Sequence, residues 1–161
     1  MPLHPLCVEA LHDVAAPWKF VECDPDLADT EAFCAAYGFA LENSANAIVV
    51  IGKSDPPVHA CCVVLASYRL DVNGTVRRKL GTRKASFARF EDGEALTGMV
   101  SGGITPVGLR TMPVWVDAAV MKRDRIVLGG GTRDTKIVAA PSLLVELGAE
   151  VVDGLASPAG S

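Results

Sequence analysis

The chain has 161 residues, half of them hydrophobic and 21% charged, with a formal net charge of −4. That is the composition of a globular domain able to bury a sizeable core, and it excludes a disordered chain. An acidic total with a pI near 5.3 is wrong for a protein that coats nucleic acid.

No apolar run approaches the roughly 20 residues of a membrane-spanning helix. The opening "MPLHPLCVEALHDV" has neither the basic segment nor the apolar stretch of a secretory signal, so the expected location is the cytoplasm.

In chain order, "LHPLCVEALHDVAA" carries apolar positions at helical spacing and stops before Pro17, which predicts a first helix. "WKFVEC" alternates like a strand, and "DPDLADTEAFCAAYG" reads as a turn and a second helix stopped by Gly38. "NAIVVIGK" and "HACCVVLAS" are β-rich runs either side of "SDPP" and predict neighbouring strands. "VNGTVRRKLG" predicts a short helix from near Asn73 to Gly81, and "EDGEALTG" another ending at Gly98. "PVWVDAAV", "RIVLGGG" and "KIVAA" predict three more strands. "PSLLVELG" predicts a last helix, with Pro141 suited to its first turn and Gly148 past its end. The tail, residues 155–161, is expected to fray.

No internal repeat or linker divides the chain, so residues 1–161 are read as a single domain. Helices at both ends and about six short strands between them do not alternate as a doubly wound fold would. The expected class is α+β, with a curved, barrel-like mixed sheet flanked by helices.

The five cysteines form no CxxC pair and no Cys/His ladder at zinc spacing, so no metal site is expected. Cys61 and Cys62 are adjacent in a strand and would point to opposite faces. Charge is unevenly spread. Residues 1–47 hold eight acids and one base, Lys19, whereas "RRKLGTRKASFAR" over 77–89 holds six bases and no acid. Within that run Arg77, Arg78, Lys79, Arg83 and Lys84 are candidate phosphate contacts, against the alternative of a solvated face.

The usual catalytic constellations are missing: there is no GxSxG elbow, no P-loop and no HExxH. His4, His12 and His59 read as surface or structural residues. "GGGTRD" lacks GxGxxG spacing and precedes a strand, so it is a poor nucleotide motif. Lys53 stands at the end of the apolar strand "AIVVIG", where site residues tend to sit. The loop "GMVSGGITPVGL", Gly98 to Leu109, has no acid, base or histidine. Its chemistry would be main-chain chemistry, because glycines let N–H groups approach a ligand and form an anion-binding concavity.

In this order, "DTEAFCAAYG", "NAIVVIGKSD", "HACCVVLASYRLDVNGTVRRKLG", "EALTGMVSGGITPVGL" and "GGGTRDTKIVAAPSLLVELG" resemble the YbaK/ProX family of aminoacyl-tRNA editing domains, over about residues 28–148. The resemblance implies that family's editing-domain fold, with a cleft that receives the 3′ end of a mischarged tRNA and hydrolyses the aminoacyl ester. By the same resemblance Lys53 matches the functional lysine, and Gly102, Gly103, Ile104, Thr105 and Pro106 match the GxxxP loop. Gly130 and Gly131 match the late glycines near the pocket.

The activity that the resemblance implies is that of a free-standing trans-editing deacylase for proline tRNA carrying alanine or cysteine, with no cofactor. A synthetase is a further partner to consider, while membrane and DNA are not. Backbone donors from Gly102 and Gly103 would serve the developing oxyanion. Lys53 would anchor a phosphate or supply a fixed charge, and Ile104 would be a sieve wall. The alternative reading is a non-catalytic module that binds a tRNA 3′ end or a nucleotide in the same cleft.

Overall fold

A strand in the middle of the chain organises the fold. In the computed structural model, which describes residues 3–159, β3 (Val58–Leu65) pairs antiparallel with β2 (Ala45–Gly52) over their full lengths. Alternation along β3 sends Cys61, Val63 and Leu65 into one core and Ala60, Cys62 and Val64 into another. The two adjacent cysteines therefore do lie on opposite faces, and all five cysteines are buried free thiols.

β2 and β3 belong to a five-stranded sheet of order β5-β2-β3-β6-β9, completed by β5 (Ala85–Phe87), β6 (Val114–Asp117) and β9 (Glu150–Val152). Pairing is parallel between β3 and β6 and between β6 and β9, so the sheet is mixed. A second sheet of order β1-β8-β7 joins β1 (Trp18–Glu22), β7 (Ile126–Gly129) and β8 (Thr135–Ala139), all antiparallel. The third is a two-stranded pair of β4 (Tyr68–Leu70) and β10 (Ala156–Pro158).

The α+β class and the mixed pairing agree with the sequence reading. The strands, however, are divided among three open sheets and do not close into one barrel-like sheet.

Helices fall where their sequence signals lie. α1 (Pro5–Leu11) buries Cys7 and Leu11 in the larger core. Its N-cap is His4, whose Nδ1 accepts from the Leu6 amide at 3.1 Å while Nε2 donates to the Gly98 carbonyl at 2.9 Å. α2 (Thr30–Tyr37) ends at Gly38 in the left-handed conformation, φ 76°. α3 (Arg77–Leu80) follows a π-turn over Val72–Val76, and α4 (Phe90–Thr97) stops before Gly98. α5 (Ser142–Glu146) closes the larger core with Leu143 and Leu144, and its Glu146 carboxylate accepts from the Ala15 and Ala16 amides.

The expectation of a frayed tail is corrected. Leu155 is fully buried and β10 pairs with β4. The buried Asp117 carboxylate accepts from the Ala156 amide at 3.1 Å, which ties the last strand to β6. The last described element is therefore a strand and not a helix; residues 160 and 161 lie outside the described residues. No helix among the described residues is long and apolar enough to cross a membrane.

Candidate active site

The glycine loop, the start of β2 and the lysine of β8 meet around a hollow of about 380 Å³, within the range of small-molecule clefts. Asn46 and Ile48 of β2 form one side, and Phe87, Arg89 and Phe90 form the rim. Ser101, Gly102 and Ile104 of the glycine loop also line it, as do Gly129 and Lys136.

Two cations from the turn and strand after Gly129 hold these walls together. Lys136 is 7% exposed; its Nζ donates to the Ala28 carbonyl at 2.6 Å and to the Gly102 carbonyl at 3.4 Å. It lies 5.5 Å from the centre of the Phe33 ring. Arg133 donates from Nε and Nη2 to the Pro25 carbonyl and from Nη1 to the Ser101 carbonyl, with Asp29 3.6 Å away. Together they fasten the loop at 101–102 to the segment that leads into α2.

Burial lowers the Lys136 pKa from the ordinary lysine range, because desolvation penalises the ammonium. An ammonium has three donors, and two carbonyls take two of them, which leaves one for a ligand in the hollow. Nearby Cys23 and Cys34 are not lining residues, and burial raises both thiol pKa values, so neither is an activated nucleophile.

Other polar groups at the hollow are also free. Ser101 Oγ is buried without a hydrogen-bond partner. Asn46 Oδ1 accepts from Thr30 Oγ1 at 2.8 Å, which leaves its amide NH2 available. The Gly102 and Ile104 amides have no acceptor among the described residues. The Gly103 amide, by contrast, donates to the Val100 carbonyl at 2.8 Å and cannot serve a substrate.

The sequence-derived candidates thus separate. Gly102 and Ile104 line the hollow, whereas Gly103, Thr105 and Pro106 are buried behind it. Thr105 Oγ1 accepts from the Val107 amide at 3.3 Å. Gly131 supports the loop: its amide donates to the Gly103 carbonyl at 2.6 Å and its carbonyl accepts from the Val100 amide, whereas the Gly130 carbonyl accepts from the His4 amide at 3.3 Å. The late glycine at the hollow is Gly129, where a Cβ would meet the Gly103 and Ile104 carbonyl oxygens at 2.6 and 2.7 Å.

Lys53 is not opposite the glycine loop. It follows the far end of β2, four residues beyond Val49, the last β2 residue to line the hollow, or roughly 13 Å of extended strand. There it lines a second hollow of about 750 Å³ with Arg77, Arg83 and Lys84. Of the rest of the basic run, Lys79 is engaged elsewhere: it pairs with Glu150 at 2.6 Å and sits 5.1 Å from the Trp115 ring centre. Arg78 is exposed.

Lys136, Asn46 and Ser101 were not among the sequence candidates. The available signal for Lys136 was one lysine in the otherwise apolar "KIVAA", directly after a glycine-rich turn. Among the described residues, no group of three His, Cys, Asp or Glu side chains is placed to hold a metal ion.

This fold has known counterparts. Residues 24–147 match the aminoacyl-tRNA editing domain family. The chain therefore belongs to that family. A protein of Enterococcus faecalis named "Putative Cys-tRNA(Pro)/Cys-tRNA(Cys) deacylase EbsC" is 27% identical over 101 residues, 62% of this chain and 60% of that one. The match thus spans about three-fifths of that relative's length. A crystal structure described as "a putative trans-editing enzyme for prolyl tRNA synthetase" superposes with a TM-score of 0.77 at 26% identity, covering 94% of this chain and 97% of the other. The crystal structure of "hypothetical protein APE2540" gives the same TM-score at 22% identity, over 88% and 92% of the two chains, and shows the shared fold.

Proposed function

We propose that the protein is a free-standing trans-editing deacylase that hydrolyses the ester of proline tRNA mischarged with cysteine or alanine. The substrate named for the Enterococcus relative and the partner named for the prolyl structure both support this reading. The observation that carries it is Lys136, a buried cation with a spare donor beside the unpaired Gly102 amide.

An aminoacyl ester is already activated, so orientation and charge stabilisation can carry the reaction without a strong nucleophile. Among the described residues, the only carboxylate lining the hollow, Asp29, faces Arg133, and no histidine or cysteine lines it. A water held by the polar groups of Ser101 and Asn46 adds to the ester carbonyl. The resulting oxyanion is stabilised by Lys136 and the Gly102 amide. Collapse breaks the acyl C–O bond, and the proton from the water passes to the departing ribose oxygen, with the neighbouring ribose hydroxyl of the substrate assisting. The products are the free amino acid and uncharged tRNA. No cofactor enters.

Ile104 lines the hollow as the apolar wall against which acyl size is measured. The exposed members of the basic run contact tRNA phosphates, and the work is done in the cytoplasm, where tRNA is charged. The test is release of labelled amino acid from cysteinyl-, alanyl- and prolyl-tRNA(Pro). Cysteinyl and alanyl esters should be cleaved much faster than prolyl. Equal rates for all three would remove the sieve, and binding without any release would leave a tRNA-end-binding module.

A further inference from the structure

Phe87 and Phe90 are 60% and 81% exposed, the two most exposed large apolar side chains among the described residues. Scattered surface aromatics need no explanation. These two stand three positions apart on the rim of one hollow, with the exposed Arg89 between them. Aromatic faces with an adjacent guanidinium are what unpaired nucleobases stack on, whatever their sequence.

The same stretch of chain borders the second hollow. Lys84, Ala85 and Ser86 line it, and Phe87 to Phe90 line the first, so β5 and its flanks are a shared wall. From Lys84 to Phe90 the extended chain covers about 20 Å. The second hollow contains Lys53, Arg77, Arg83 and Lys84 and no acidic lining residue. None of those four cations is in a salt bridge among the described residues. Four unneutralised cations around one concavity make a phosphate-receiving surface.

We propose that β5 and its flanks form a single-strand track for RNA. Phe87 and Phe90 stack the terminal bases of an unpaired 3′ end, and Lys53, Arg77, Arg83 and Lys84 receive the phosphates on its 5′ side. The polarity rests on the deacylase reading, which puts the acylated terminus in the first hollow. Lys53 then acts on the substrate's backbone, at a distance from the ester.

The test uses an uncharged RNA minihelix with an unpaired 3′ strand whose terminal adenine is replaced by 2-aminopurine, a base whose fluorescence falls on stacking. The intact protein should quench it saturably. Phe87→Ala with Phe90→Ala should abolish most of the quench and weaken binding by roughly thirtyfold or more, the loss of two stacked bases. Phe90→Trp should preserve the quench. Both side chains are mainly exposed, so melting curves should stay close to wild type.

Lys53→Ala with Lys84→Ala should weaken binding and reduce the salt slope by about 0.7 per lost contact, while the quench at saturation persists. Quenching by the double phenylalanine variant equal to wild type, or no quenching by the wild type, overturns the track. Release of cysteine from cysteinyl-tRNA, measured alongside, separates the two claims. Quenching without release overturns the deacylase reading alone; release with an unaltered quench in the variants overturns the track alone.

Discussion

The Lys136 ammonium and the Gly102 carbonyl oxygen, 34 positions apart in sequence, lie 3.4 Å apart at the hollow. That contact couples a buried charge to the loop that carries the unpaired Gly102 amide. Lys136→Met should therefore remove both the charge and the loop's anchor. Turnover should fall on the order of 10²- to 10³-fold, the scale of losing an oxyanion donor.

Stability should change by no more than about 2 kcal/mol, because the lost hydrogen bonds are offset by relief of a desolvated charge. The pH dependence has a defined sign. With its folded pKa depressed, Lys136 favours the fold most above its unfolded pKa of about 10.4, and that contribution is lost as pH falls through the folded value. Wild-type stability should thus carry a component that rises with pH in that window. Denaturant titrations of the Met variant should lack it.

The two loop glycines should fail differently. A Cβ on Gly103 would collide with the Thr132 backbone, so Gly103→Ala should lower the melting temperature and activity together. Gly102 has φ +88°, and its Cβ would meet the flexible end of Arg133. Gly102→Ala should cost about 1–2 kcal/mol of backbone strain and displace Arg133, with a larger loss in kcat than in folded fraction. Parallel melting and single-turnover measurements distinguish the two patterns. Equal melting temperatures for wild type and Gly103→Ala would contradict the packing account.

Hollow width can be changed in both directions. A Cβ on Gly93 of α4 would lie 3.5 Å from Ile104 Cδ1, an ordinary contact. Gly93→Ala should stabilise the helix by up to about 1 kcal/mol while narrowing the hollow, so KM for the bulkier accepted ester should rise. Ile104→Ala should do the opposite and admit prolyl esters. Unchanged discrimination in both variants would take Ile104 out of selection.

The C-terminal strand offers a stability test remote from the hollow. Leu155→Ala should cost about 2–5 kcal/mol, as for a fully buried leucine. Deleting residues 155–161 should cost more, since it also strips β4 of its partner and Asp117 of an amide. A deletion variant that melts with wild type would mean that the pairing contributes nothing.

Local signals were legible in the sequence and remote ones were not. The stops at Gly38, Gly81 and Gly98 and the pairing of β2 with β3 were readable because each is written in consecutive residues. The short strands β4, β5, β9 and β10 have three residues each, too few for alternation to show, and exist because a neighbour pairs with them. The site divides in the same way. Gly102 and Ile104 could be picked from the composition of their loop, whereas Lys136 reaches them only through the packing of β8. Lys53 had the right residue type at a strand end, but it lines the second hollow and not the one that the loop borders.

The adjacent cysteines of β3 give the molecule two internal clocks. Both thiols are fully buried, and burial pushes that of Cys62 up to about 12 and raises that of Cys61 as well, so alkylation of either should require local opening. Because one thiol sits in each core, labelling one reports a breathing motion that labelling the other need not. Mass spectrometry of time-dependent alkylation, with Cys61→Ala and Cys62→Ala variants that each leave one thiol in the β3 peptide, would show whether the two sides of this wall open together or in turn.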